Sequence, residues 1–166
     1  MGEPRRPDSD SVRHAAIDVA SNGDPELAEA NIGLLIALTR DADPCNRNWA
    51  AMTLANLSVQ SAAVRVALRR AAEDRDCSVR GEAILGIVRV DPAVALALVQ
   101  RELRRDKCGY AVFQAARLLA NPSLLEGLQA WHDRTGACWV NDEVRAAIRA
   151  CKSPIRRNSK KFDPEL

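Results

Sequence analysis

Five cysteines and two histidines are the side chains of this chain best suited to bind a soft metal, cross-link or attack as nucleophiles: Cys45, Cys77, Cys108, Cys138 and Cys151, with His14 and His132. A zinc edge on a helix needs a second ligand one turn away, and neither histidine has a cysteine or histidine at i+3 or i+4. An odd cysteine count without a C-x-x-C pair argues against a disulfide framework. Cys138, in the "TGACWVND" stretch, is the thiol expected to be most exposed, but nothing basic beside it would favour the thiolate. No Ser/His/Asp arrangement, glycine-framed serine or phosphate loop occurs. No catalytic residue, metal site or cofactor is therefore expected. His14 is expected on an exposed helix face and His132 near a helix end, where a cation complements the helix dipole.

The cysteines say more through their positions. Successive gaps of 32, 31, 30 and 13 residues suggest a chain that repeats itself every thirty-odd residues. The 166 residues suffice for one sizeable core, and 47% hydrophobic against 28% charged residues marks an ordered protein. Aromatics make up only 4%, and much of the apolar content is alanine and leucine, which favour close-packed helices. An all-α fold follows. A net charge of +2 from 24 basic and 22 acidic residues in mixed order gives no one-sided field for a polyanion or an anionic membrane. No segment approaches the ~20 apolar residues of a membrane helix, so a cytoplasmic protein with no membrane partner is expected.

The period can be aligned. "DADPCNRNWAAMTLANL" (41–57) superposes on "DRDCSVRGEAILGIV" (74–88), matching Asp41 with Asp74, Asp43 with Asp76, Arg47 with Arg80 and Ala50 with Ala83. "SVRHAAIDVA" near the N-terminus supplies Arg13 and Ala16, and "EVRAAIRAC" supplies Arg145 and Ile148. "YAVFQAARLLA" fits with Val112 in the arginine column and Ala115 in the alanine column. The resulting offsets are 34, 33, 32 and 33. Between these copies run second amphipathic stretches, "PELAEANIGLLIALTR", "SAAVRVALRRAAED", "PAVALALVQRELRRD" and "PSLLEGLQAWHDR", so each repeat is a helix pair. Asp24-Pro25, Asp43-Pro44, Asp91-Pro92 and Asn121-Pro122 are start signals, a capping side chain followed by a proline tolerated at the first helical position. Arg40, Arg69, Arg70, Arg104 and Arg105 crowd the helix ends.

The combination D-x-D-x-x-V-R followed by small and aliphatic residues resembles the HEAT family, especially its short bacterial form, also found in phycobilisome lyases. The likeness covers residues 9–151, between a flexible N-terminus (1–8) and a flexible basic tail (152–166). It implies a right-handed α-solenoid of about five helical hairpins, in which Asp43, Arg47, Asp76 and Arg80 link neighbouring repeats. Gly81 and Gly86 would let the second helices of adjacent repeats approach closely. Ankyrin and tetratricopeptide arrays have a similar period, but their signatures are missing.

On the second helices, 100° increments place Val79, Ala83 and Ile87 on the inward stripe and Gly81, Glu82, Leu85 and Arg89 opposite. The repeat offset adds Asn48, Trp49, Met52 and Asn56 before them and Phe113, Gln114 and Arg117 after them. Two readings stand: an apolar strip of Trp49, Met52, Leu85 and Phe113, flanked by Asn56, Glu82, Arg89, Gln114 and Arg117, that binds a protein or peptide; or side chains that simply pack between repeats. Trp49 is expected to be partly buried. The preferred function is a non-catalytic adaptor, scaffold or inhibitor acting as a monomer through the concave face. A nucleic-acid binder, using Arg101, Arg104, Arg105 and Lys107 with the tail's Arg156, Arg157, Lys160 and Lys161, is an alternative that near-neutral charge disfavours. A bilin lyase-like enzyme, which the family resemblance suggests, finds no catalytic cluster; a thiol ladder of Cys45, Cys77 and Cys108 for bilin attachment is set aside in favour of buried cysteines.

Overall fold

Helix starts in this chain are set by short polar side chains that accept the first free amides. Asp43 accepts from the Cys45 amide, Ser61 from Val64, Asp76 from Ser78 and Val79, Asp91 from Val94, and Asn121 from Ser123. In the computed structural model these signals open helices within the described residues, 25–57, 61–135 and 140–153. The helices are α1 (Pro25–Leu38), α2 (Pro44–Asn56), α3 (Ala62–Ala71), α4 (Cys77–Ile87), α5 (Pro92–Leu103), α6 (Tyr110–Leu119), α7 (Leu125–Thr135) and α8 (Val140–Lys152). A 3₁₀ turn, Pro122–Leu124, leads into α7. The fold is all-α, with no strand among the described residues, and none of the described helices is long and apolar enough to cross a membrane. The repeat copy at Arg13 and Ala16, His14, Asp24, Cys138, residues 1–8 and the tail from residue 154 lie outside the described residues.

The even helices form one layer: α2 packs on α4, α4 on α6 and α6 on α8, while each odd helix packs on the even helix that follows it. What allows this is a column of small residues. Ala50, Ala83, Ala116 and Ala147 are each fully buried on successive even helices. The stripe of Val79, Ala83 and Ile87 is buried as its spacing implies. At the α2–α4 crossing, a Cβ on Gly86 would come within 2.7 Å of the Ala55 Cβ and 2.9 Å of its Cα. At the α4–α6 crossing, a Cβ on Gly81 would touch Ala111 at 3.4 Å, and one on Gly109 would drive into the carbonyl oxygen of Cys77. The close approach anticipated for Gly81 and Gly86 is therefore present, on opposite sides of α4. Gly81 is packed against α6 and is not part of an open wall.

Helix α6 ends at Ala120, whose left-handed backbone (φ 47°, ψ 40°) closes the helix as its N–H donates a hydrogen bond to the Ala116 carbonyl. The strain belongs to a non-glycine residue there, and a turn follows before Pro122.

Gly86→Ala is expected to lower stability by about 2 kcal/mol, because the new methyl meets backbone and Cβ atoms rather than a side chain that can swing away. Gly33→Ala, in mid-α1 with nothing within 4 Å of its new methyl, should be neutral or stabilising by up to about 1 kcal/mol. Thermal melts decide: a drop of roughly 6 °C is expected for Gly86→Ala, and equal melting of the two variants would mean that the helices do not meet as described.

Candidate functional site

Two aspartates in each of the first two turns divide the work. Asp41 accepts the amide of Asp43 at 2.7 Å and Asp74 accepts the amide of Asp76 at 2.8 Å, folding each turn back on itself, while Asp43 and Asp76 cap the helices that follow. Arg47 then donates Nη1 to the carbonyls of Asp41 and Ala42, and Arg80 does the same to Asp74 and Arg75. The other edge of each guanidinium reaches a neighbouring unit. Arg47 forks onto Asp74 through Nε (2.8 Å) and Nη2 (2.9 Å), and Arg80 bonds Glu102 at 2.9 Å. The arginines are thus the linking residues that the sequence suggests. Their acidic partners are Asp74 and Glu102, not Asp43 or Asp76, which are engaged as caps.

Charge placement follows from this geometry. The hydrogen bond to Asp74 raises the Arg47 pKa against the cost of burial. Burial alone would push the Asp74 carboxyl up, but Arg47, the Asp76 amide and Arg75 together hold it below the usual carboxylate range. Glu102 is fully buried, with Arg105 3.0 Å and Arg101 3.7 Å from its second oxygen.

The third link uses different chemistry. Counting from the helix starts Pro44, Cys77 and Tyr110, the residue in the column of Arg47 and Arg80 is Phe113, not Val112. Phe113 is 1% exposed and meets Trp131 edge-on, with centroids 5.6 Å apart. Trp131 donates its indole N–H to the Leu103 carbonyl, and the Arg134 guanidinium lies over its ring at 4.0 Å. Lys107 and Gly109 stand where the two aspartates would be, so the whole polar set is replaced together. Arg145, expected in the same column of the last copy, is exposed on α8.

The anticipated binding strip is corrected at Phe113, which is core and cannot reach a partner. Trp49, Met52, Glu82 and Leu85 are half-buried, and Trp49 and Leu85 pack against the core. Burial raises the Glu82 pKa. Asn56, Leu85, Arg89, Gln114 and Arg117 do come together around a hollow of about 150 Å³ between α2, α4 and α6. Arg117 is held there by Glu143 at 2.6 Å, whose other oxygen accepts from the Tyr110 hydroxyl at 3.3 Å. The Asn56 side-chain amide donates to the Met52 carbonyl at 2.9 Å. Leu118, 45% exposed on the rim, is the residue that sequence reasoning missed. Counted from the helix starts it shares a column with Met52 and Leu85, a signal hidden by the one-residue slip at Val112.

Two of the thiols are disfavoured as thiolates by their surroundings. Burial, with the charge of Glu102 next, pushes the Cys108 thiol up to about 12, and burial also raises Cys151. Cys45 is exposed on the first turn of α2. No group of histidine, cysteine and acidic side chains among the described residues is placed to hold a metal. His132 lies in the last turn of α7, as its neighbours in sequence imply.

Compared with family models, curated proteins and solved structures, the chain matches none.

Arg80→Met is expected to destabilise by about 3 kcal/mol, since it strips a buried carboxylate of its best partner. Arg80→Met with Glu102→Leu should recover most of that loss, because a well-packed apolar pair needs no counter-charge. Urea titration of the three proteins checks it. A double variant no more stable than the single one would assign the link a purely steric role.

Proposed function

We propose that the chain is a right-handed solenoid of HEAT-like hairpins, a monomeric cytoplasmic protein that binds another protein or peptide and carries out no chemistry of its own. The stack of even helices supports the solenoid reading, as does the recurrence of one turn-and-arginine pattern at 33-residue spacing. A stack of this kind presents one side chain per turn from each helix along a continuous face, which provides area rather than a reactive centre.

The observation that carries the reading is the hollow between α2, α4 and α6. Its rim combines apolar Leu85 and Leu118 with the guanidiniums of Arg89 and Arg117 and the side-chain amides of Asn56 and Gln114. Apolar anchors ringed by groups that can donate and accept hydrogen bonds are the usual makeup of a protein-binding hot spot. Trp49 and Met52 extend the same face along α2. Half-buried Cys108, whose thiol burial pushes up to about 12, gives no support at that position to thioether chemistry, which is the step a bilin lyase-like reading would need.

Leu118→Glu and Arg89→Glu alter exposed side chains and should leave melting within about 2 °C of the parent. Each is expected to reduce capture of the partner from host extract at least about tenfold, whereas Phe113→Ala should cost about 3 to 5 kcal/mol of stability. Quantitative mass spectrometry of the captured proteins, beside thermal melts, checks both. Undiminished capture by the two charge-bearing variants would remove this face from consideration.

A further inference from the structure

At the opposite ends of α2 and α4 from that hollow, the turn entering α2, the end of α3 and the turn entering α4 border a second, open cavity of about 480 Å³. Four arginines line it: Arg40 after α1, Arg47 in α2, Arg70 in the last turn of α3, and Arg75 just before the cap of α4. Arg47 is neutralised by Asp74. The carboxylate of Glu73 is taken by Arg101 at 2.6 and 2.9 Å. What remains is three exposed guanidiniums from three separate chain segments against the single carboxylate of Asp41.

Helix-end electrostatics explain part of this arrangement only. Arg70 complements the negative end of α3, but Arg75 stands at the positive end of α4, where a helix dipole opposes a cation. A cation placed there, facing two others across a cavity, gains most from an anion between them. Geometry selects which anion. A carboxylate presents two oxygens and satisfies one guanidinium fork, whereas a tetrahedral dianion presents three or more and can accept from several forks at once.

We propose that this cavity binds a phosphate monoester, held by Arg40, Arg70 and Arg75. The volume exceeds that of the phosphate itself and admits the group that bears it, either a small free ester or a phosphorylated side chain of a peptide. The proposal is independent of the α2–α4–α6 face, which lies at the other ends of these helices.

The test is calorimetric titration of the full chain at about 150 mM salt, where weak surface attraction is screened, with three probes: inorganic phosphate, a short peptide bearing one phosphoserine, and the same peptide with glutamate in its place. Phosphoserine is expected to bind at least about tenfold more tightly than glutamate. Arg70→Gln with Arg75→Gln should weaken that binding at least about tenfold, while Arg65→Gln, an exposed change elsewhere on α3, should not. The side chains of Arg70 and Arg75 make no hydrogen bond among the described residues, so circular dichroism and melting of the double variant should match the parent. Inorganic phosphate binding about as well as the peptide would support a free ester; a clear preference for the peptide would support a phosphorylated protein. Equal binding of the glutamate peptide, binding that survives the double substitution, or no binding of either phosphate probe would overturn the proposal.

Discussion

Two helices drawn together until a single methyl group will not fit between them cannot slide or rotate without first separating. That constraint, at Gly86 against Ala55 and again at Gly109 against the Cys77 carbonyl, fixes how α2, α4 and α6 lie against one another. Once α2, α4 and α6 are locked side by side, the turns that precede them stand in a row and their side chains can bridge. The same locking brings residues of three separate helices onto one face, which is why Asn56, Leu85 and Gln114 share a hollow although 58 residues of sequence separate the first from the last. Alanine and glycine are therefore the positioning residues of this fold, and Ala55 acts as one from the wall of the hollow itself.

The joints between units show how one structural task can be met by different chemistry. A guanidinium that bonds two carbonyls of its own turn and a carboxylate of the next unit makes four hydrogen bonds at once, and removing it would leave all four acceptor oxygens short of a donor. At the α6 joint the arginine and both aspartates are all replaced, and an edge-on aromatic pair occupies the space. Glu102 explains how the change is accommodated. Lys107 stands where an aspartate would accept from Arg80, so the carboxylate is supplied from the end of α5 instead.

How much of this could be read in advance depended on whether the signal was local. Asp43, Asp91 and Asn121 cap helices as their Asx-Pro pairs indicate, because capping is settled within three residues. Gly81 and Gly86 mark close approach, whereas Gly33, equally central in its helix, does not, so the repeat frame and not the glycine alone carries that signal. The slip at α6 has an equally local cause. Gly109 starts that helix without a side-chain cap, so no residue announces where it begins, and the sequence fits the arginine column as well at Val112 as at Phe113. From that one-residue error came both the assignment of Phe113 to the surface and the omission of Leu118. The pairing of Arg80 with Glu102 was beyond reach for another reason: it depends on how far α5 runs before it turns, which no motif encodes.

Unequal joints also give the stack a direction. The α2–α4 connection relies on an ionised Asp74 whose folded-state pKa lies below its usual value, so its contribution is complete above the carboxylate range and disappears as acid protonates it. The Phe113–Trp131 contact carries no titratable group and is indifferent to the same change. Acid strong enough to protonate Asp74 therefore weakens the α2–α4 joint and leaves the Phe113–Trp131 contact untouched.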